Sequence, residues 1–213
     1  MDQPTPLLRS LSLLEISFYG IGTIVGAGIY VLLGKVVSDS GMMALWAFLL
    51  AAVVVCFSAA SYTELSRRFP YCAGEPVSIV ESLRSRHLGA LVGYALVLGA
   101  IISAATITRG FTGYMGVFSH LPDWSMMTIL IITLTAIPAT LLASSLVFAF
   151  ALWLPVTTLA RATSCLILLV FTLVNLSLLS LHYRERQRGP LQLGLPAIGA
   201  LLCIGFLVIQ IWS

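Results

Sequence analysis

The chain has 213 residues, of which 59% are hydrophobic and 9% charged, with a formal net charge of +3. A soluble domain of this length carries about 25% charged residues, so the composition excludes a soluble globular protein and places the chain in the bilayer. No basic patch with interleaved aromatics is present, which excludes nucleic acid as a partner.

A membrane-crossing helix needs about 20 apolar residues. On that measure the predicted spans cover residues 15–34, 42–64, 88–115, 124–153, 157–181 and 191–212, six helices in a single all-α, polytopic transmembrane domain. The N-terminal stretch MDQPTPLLRSLSLLE lacks a cleavable signal pattern, so the first apolar run reads as a retained span. Glu15 reads as a helix-start charge. Between the second and third spans lies TELSRRFPYCAGEPVSIVESLRSRH, where Pro70, Gly74 and Pro76 break helix and residues 77–84 suit a short surface helix. Glu64 reads as the partner of Arg67 or Arg68. Thr106 and Thr108 read as bonded back to their own helix, and Arg109 near the outer end of the third span as snorkelling or paired. Trp46, Trp124, Trp153 and Trp212 fall near span ends, where an interfacial belt places them.

The stretch after SHLPDW is the difficult one. Residues 124–154 contain no charge and no glycine, and Pro138 and Pro155 are its only breakers. As one tilted helix bent at Pro138 it crosses the membrane. Arg9, Arg67, Arg68, Arg84, Arg86 and Arg161 then lie inside, against Lys35, Arg109, Arg184, Arg186 and Arg188 outside, a count of 6 to 5. As a hairpin folded near Pro138 the count becomes 8 to 3. Each arm would then have about 13 residues, or about 20 Å of helix, against about 30 Å of hydrocarbon. The turn Ile137-Pro138-Ala139 also has no glycine or polar cluster. The single bent helix is therefore the expectation. Both counts put the N-terminus in the cytoplasm of a multi-pass cell-membrane protein.

Beyond that awkward run, Asn175 in the fifth span reads as an interhelical hydrogen bonder. The four cysteines form no C-x-x-C and read as small hydrophobes, with Cys72 alone in a polar loop. The three histidines have no metal-ligand spacing. No G-x-S-x-G, H-E-x-x-H or P-loop is present, so no enzyme, metal or cofactor is expected.

Residues 20–30 read GIGTIVGAGIY, with glycines at 20, 22, 26 and 28 in the first span. Each interior glycine weakens a helix by about 1 kcal/mol relative to alanine. Two readings stand. Gly22 and Gly26 form a G-x-x-x-G face for close helix packing. Alternatively the helix is discontinuous there: free N–H groups face a carboxylate, free carbonyls face an ammonium group, and glycine lets a ligand touch the backbone. A site of that kind recognises both ends of an amino acid without a charged side chain.

LSLLEISFYGIGTIVGAGIYVLLG resembles the first helix of the amino acid–polyamine–organocation permeases, and SYTELSRRFPYCAGEPVSIVESL the end of their second helix with the following loop. VGYALVLGAIISAATITRGFTGYM resembles their third helix, LPDWSMMTILIITLT the start of the fourth, and residues 139–212 their ninth to eleventh. The resemblance implies a partial inverted-repeat fold with an internal join near Pro138. It implies amino acid transport, with the main chain of Ile24, Val25, Gly26, Ala27 and Gly28 holding the substrate's carboxylate and amine. The family's helix 6, which supplies the opposing wall, has no counterpart here. Neither has its helix 8, and Gly99 stands where several members carry an acidic residue. The alternative is a non-transporting remnant or a partner of a full-length permease. A homodimer, with oppositely inserted copies facing each other's first helix, is the third reading. The bilayer is a partner under all three.

Overall fold

A computed structural model describes residues 12–25, 27–70, 74–118, 122–134, 141–185 and 190–212. Regular structure among the described residues is entirely helical: α1 (Leu13–Val25), α2 (Ala27–Ser40), α3 (Met43–Arg68), α4 (Gly74–Leu83), α5 (Arg86–Met115), α6 (Asp123–Leu134), α7 (Leu141–Trp153), α8 (Val156–Glu185) and α9 (Pro190–Trp212). Four of these, α3, α5, α8 and α9, are long and apolar enough to cross a membrane. The chain is a polytopic helical membrane protein, as its composition requires. It divides into two compact units, one of residues 45–97 and 165–213 with a short N-terminal stretch, the other of residues 10–44 and 98–164.

In the first unit, Leu65, Ile79, Val92, Ala95, Val170, Val174 and Leu178 form the core. Tyr62 and Phe171 meet edge to face with ring centroids 5.8 Å apart, a geometry that aims a ring's positive edge at its neighbour's negative face. The expected surface helix is α4. It opens on Gly74 at φ +58°, a backbone state that favours glycine, and Pro76 falls in its first turn, where a missing N–H costs nothing. Ile79 is fully buried in the core. The buried hydroxyls of Ser78 and Ser82 donate to the carbonyls of Gly74 and Ser78, so neither is left unbonded in an apolar setting. Ser85 then accepts from the Leu88 N–H at 3.4 Å and caps α5. At Gly89 a Cβ would run into the Val80 side chain and stand 2.9 Å from the Pro76 carbonyl, so glycine is what allows α4 to lie on α5.

In the second unit, α1 starts with a capping box: Glu15 Oε2 accepts from the Ser12 N–H and hydroxyl, each at 2.8 Å, and Ser12 Oγ accepts from the Glu15 N–H at 3.3 Å. The helix-start role expected of Glu15 is thus realised by reciprocal hydrogen bonds. At the far end of α2, Gly41 at φ +53° donates its N–H to Val37 O at 2.8 Å, a glycine C-cap.

The same unit corrects the expected span over 124–153. There are two helices in that stretch, α6 and α7, and their sequence-distant ends lie together. Arg109 on α5 sets Nη2 3.1 Å from Leu152 O and Nη1 4.0 Å from Asp123 Oδ2. Asp123 is the first residue of α6, and Leu152 the last but one of α7. On one continuous helix those residues stand about 44 Å apart; here one guanidinium reaches both. Met127 of α6 and Ala151 of α7 share a buried cluster with Ala105 and Leu159. α6 and α7 are the antiparallel arms of a hairpin. Residues 135–140, with Pro138, lie outside the described residues. Arg109, an anchor remote in sequence, joins the start of α6 to the end of α7.

Candidate functional site

Ile24 and Val25 are the last residues of α1, and Ala27 and Gly28 the first of α2. Gly26 lies outside the described residues, as do the side chains of Ile24, Val25 and Ala27, so the unwound segment implied by the resemblance stays an expectation. The glycines just before it are informative. A Cβ at Gly20 or Gly22 would meet nothing within 4 Å. Among the described residues no neighbouring helix presses on Gly22, so the G-x-x-x-G packing reading has no internal partner at that position. The flanking side chains of Phe18, Tyr19 and Ile21 are exposed.

A second polar constellation lies inside the first unit, among α3, α8 and α9. Asn175 is fully buried. Its Oδ1 accepts from Ser61 Oγ at 2.6 Å, and its Nδ2 donates to Ser58 Oγ at 3.2 Å and to Phe171 O at 2.8 Å. Ser58 Oγ lies 3.7 Å from Cys203 Sγ. Gly199 on α9 faces the amide so closely that a Cβ there would stand 2.6 Å from Asn175 Oδ1. A buried amide in an apolar surround is costly unless bonded, and three partners leave this one well satisfied. The expected role of Asn175 is borne out. Ser58, Ser61 and Gly199 were not singled out by sequence; the Ser-x-x-Ser spacing places both hydroxyls on one helical face.

Next to Ser61, a small cavity of about 110 Å³ is lined by Glu64 and His182 together with Pro196 of α9. Glu64 Oε1 accepts from Arg68 Nε at 3.0 Å and Nη2 at 2.9 Å, the loop-side ion pair expected of it. Thr106 and Thr108 donate to Ile102 O and Ala104 O, each at 2.9 Å, as expected of hydroxyls in an apolar helix. Among the described residues no group of His, Cys, Asp and Glu has the arrangement of a metal site. Cys56, Cys165 and Cys203 are free thiols; Cys72 lies outside the described residues. The arrangement suits packing.

Comparison with known proteins finds relatives over part of the chain. No family model and no solved structure matches the chain. It is 34% identical over 126 residues to the cationic amino acid transporter 4, vacuolar, of Arabidopsis thaliana, covering 57% of this chain and 21% of that protein. It is 34% identical over 118 residues to the mouse (Mus musculus) cationic amino acid transporter 4, covering 54% and 18%. It is 28% identical over 121 residues to the branched-chain amino acid permease BcaP of Bacillus subtilis, covering 54% and 26%. The match therefore spans about half of this chain and between 18% and 26% of these relatives. Over that matched half, the chain is similar to members of the amino acid–polyamine–organocation superfamily.

Proposed function

We propose that this chain acts in the transmembrane passage of amino acids, with the main chain of Ile24, Val25, Gly26, Ala27 and Gly28 holding the substrate's carboxylate and amine. The observation that carries the reading is the open approach to the glycine stretch: Gly20 and Gly22 face no neighbouring atom, in a chain whose relatives are transporters of cationic and branched-chain amino acids by name. With the helix unwound at Gly26, as the resemblance implies, the helix termini on either side would supply partial charges of the signs that an amino acid's two ends require. The test is equilibrium binding and vesicle uptake of radiolabelled arginine and leucine by the purified chain, with Gly26→Val as the variant. Saturable binding lost in Gly26→Val supports the site. Absence of binding to both amino acids sinks it.

The length of the match favours a second reading. It spans 21% of the first-named relative, and no counterpart of the family's opposing helix is recognised here. In this reading the chain binds a full-length permease or a second copy of itself and does not transport alone. Binding without flux, with flux restored by co-reconstitution, distinguishes the two. An internal join near Pro138 accompanies both.

The proposed orientation puts the N-terminus in the cytoplasm of the cell membrane. With α6 and α7 returning to the side they left, Arg9, Arg67, Arg68, Arg84, Arg86, Arg184, Arg186 and Arg188 fall inside, and Lys35, Arg109 and Arg161 outside. That 8 to 3 bias obeys the positive-inside rule, whereas the 6 to 5 count of a single long helix barely does.

A further inference from the structure

Between α4 and the first turns of α5, within the first unit, runs an open groove of about 520 Å³. Its floor is Gly89, Ala90 and Gly93 of α5, and its wall is Pro76, Val77 and Val80 of α4. Arg86 stands at one end, Tyr94 and Val97 towards the other. We propose that this groove seats one acyl chain of an anionic glycerophospholipid, with the headgroup phosphate on Arg86.

Three observations carry the assignment. The first is depth. Arg86 is the first residue of a membrane-spanning helix, which sets its guanidinium at headgroup level. From Arg86 to Val97 is about 16 Å of helix, against about 15 Å for half the hydrocarbon thickness. The groove is as long as one leaflet is deep. The second is shape. Arg86, Ala90, Gly93 and Val97 recur at helical spacing on one face of α5, and α4 walls that face to make a furrow. A Cβ at Gly93 would stand 3.8 Å from the Pro76 ring, at van der Waals contact, so α4 walls the furrow there and the glycine keeps it one methyl deeper. The third is charge. Arg86 pairs with no carboxylate among the described residues. Arg84 stands two residues away, and Glu81 is the sole carboxylate between residues 76 and 97. A lone guanidinium over an apolar furrow complements a phosphate over a hydrocarbon tail. A second copy's helix would bring an apolar face to the furrow and give Arg86 nothing.

The test is native mass spectrometry of the purified full chain in detergent, titrated with phosphatidylglycerol or phosphatidylcholine. The expected result is one tightly retained phosphatidylglycerol, bound about fivefold more tightly than phosphatidylcholine, the factor one surface arginine supplies. Arg86→Gln removes that preference, weakening retention of phosphatidylglycerol more than that of phosphatidylcholine, whose choline offsets its phosphate charge. Ala90→Trp fills the furrow and loses retention of both lipids, with helix content by circular dichroism unchanged. Arg84→Gln, outside the groove, changes neither. Equal affinity for the two lipids in the parent, an unaltered preference in Arg86→Gln, or an equal loss in Arg84→Gln overturns the proposal. So does lipid-independent dimer formation abolished by Ala90→Trp, which would assign the groove to a second copy.

Discussion

Gly199→Ala is the sharpest test of the buried amide cluster, because its two effects oppose each other and can be separated. The added methyl would stand 2.6 Å from Asn175 Oδ1 and 3.0 Å from its Cγ, so the amide must move. It holds three hydrogen bonds, to Ser61, Ser58 and Phe171. At roughly 0.6 kcal/mol each in a membrane protein, displacing it costs about 2 kcal/mol. Against this, alanine is favoured over glycine in a helix interior by about 1 kcal/mol. The expected net is a destabilisation of about 1 kcal/mol. In an Asn175→Ala background the clash is gone and only the propensity gain remains, so Gly199→Ala should now stabilise by about 1 kcal/mol. Reversible unfolding in mixed micelles of the parent, both single variants and the double variant gives a coupling energy of about 2 kcal/mol. If Gly199→Ala has the same sign and size in both backgrounds, the amide is not held as described.

Three further outcomes follow from particular contacts. Spin labels at Ser125 and Trp153 in a cysteine-free background should lie well under half of the roughly 42 Å that one continuous helix would impose; a distance near that length restores the single span. Gly20→Ala and Gly22→Ala should each raise stability by up to about 1 kcal/mol in the same unfolding assay, since a Cβ meets nothing at either position, and a loss would reveal a packed neighbour. Ser12→Ala removes half of the capping box and should cost about 1 kcal/mol of α1 stability, read as faster amide exchange over the first turn; unchanged exchange there contradicts the cap.

Local features of the fold were readable before any coordinates. Apolar run lengths, the Pro70–Pro76 break and the basic clusters place α3, α4, α5, α8 and α9 within a few residues of where they lie. Asn175 stood out because an amide in an apolar run needs partners. The partners did not, because a serine in a membrane helix usually satisfies itself on its own backbone, as Thr106 does on Ile102. Gly199 carried no signal either, since close approach to an amide on another helix is a tertiary fact. The reversal between α6 and α7 was hidden for the same reason. No glycine or polar cluster in the sequence between α6 and α7 signals a reversal, and the arms meet through a shared apolar cluster and an arginine on α5, 14 residues before α6 begins. The glycine stretch was legible as an anomaly in helix stability.

The antiparallel pairing of α6 and α7 also has a consequence for membrane parity. The described arms of 12 and 13 residues make about 18 and 20 Å of helix, and under the proposed orientation the chain returns to the face it left. A re-entrant pair of this kind adds no net crossing. Under the proposed orientation it can be gained, lost or exchanged without inverting anything downstream, so α8 and α9 would keep their sidedness whatever happens to the hairpin. A single crossing helix in the same place would have turned every later segment inside out.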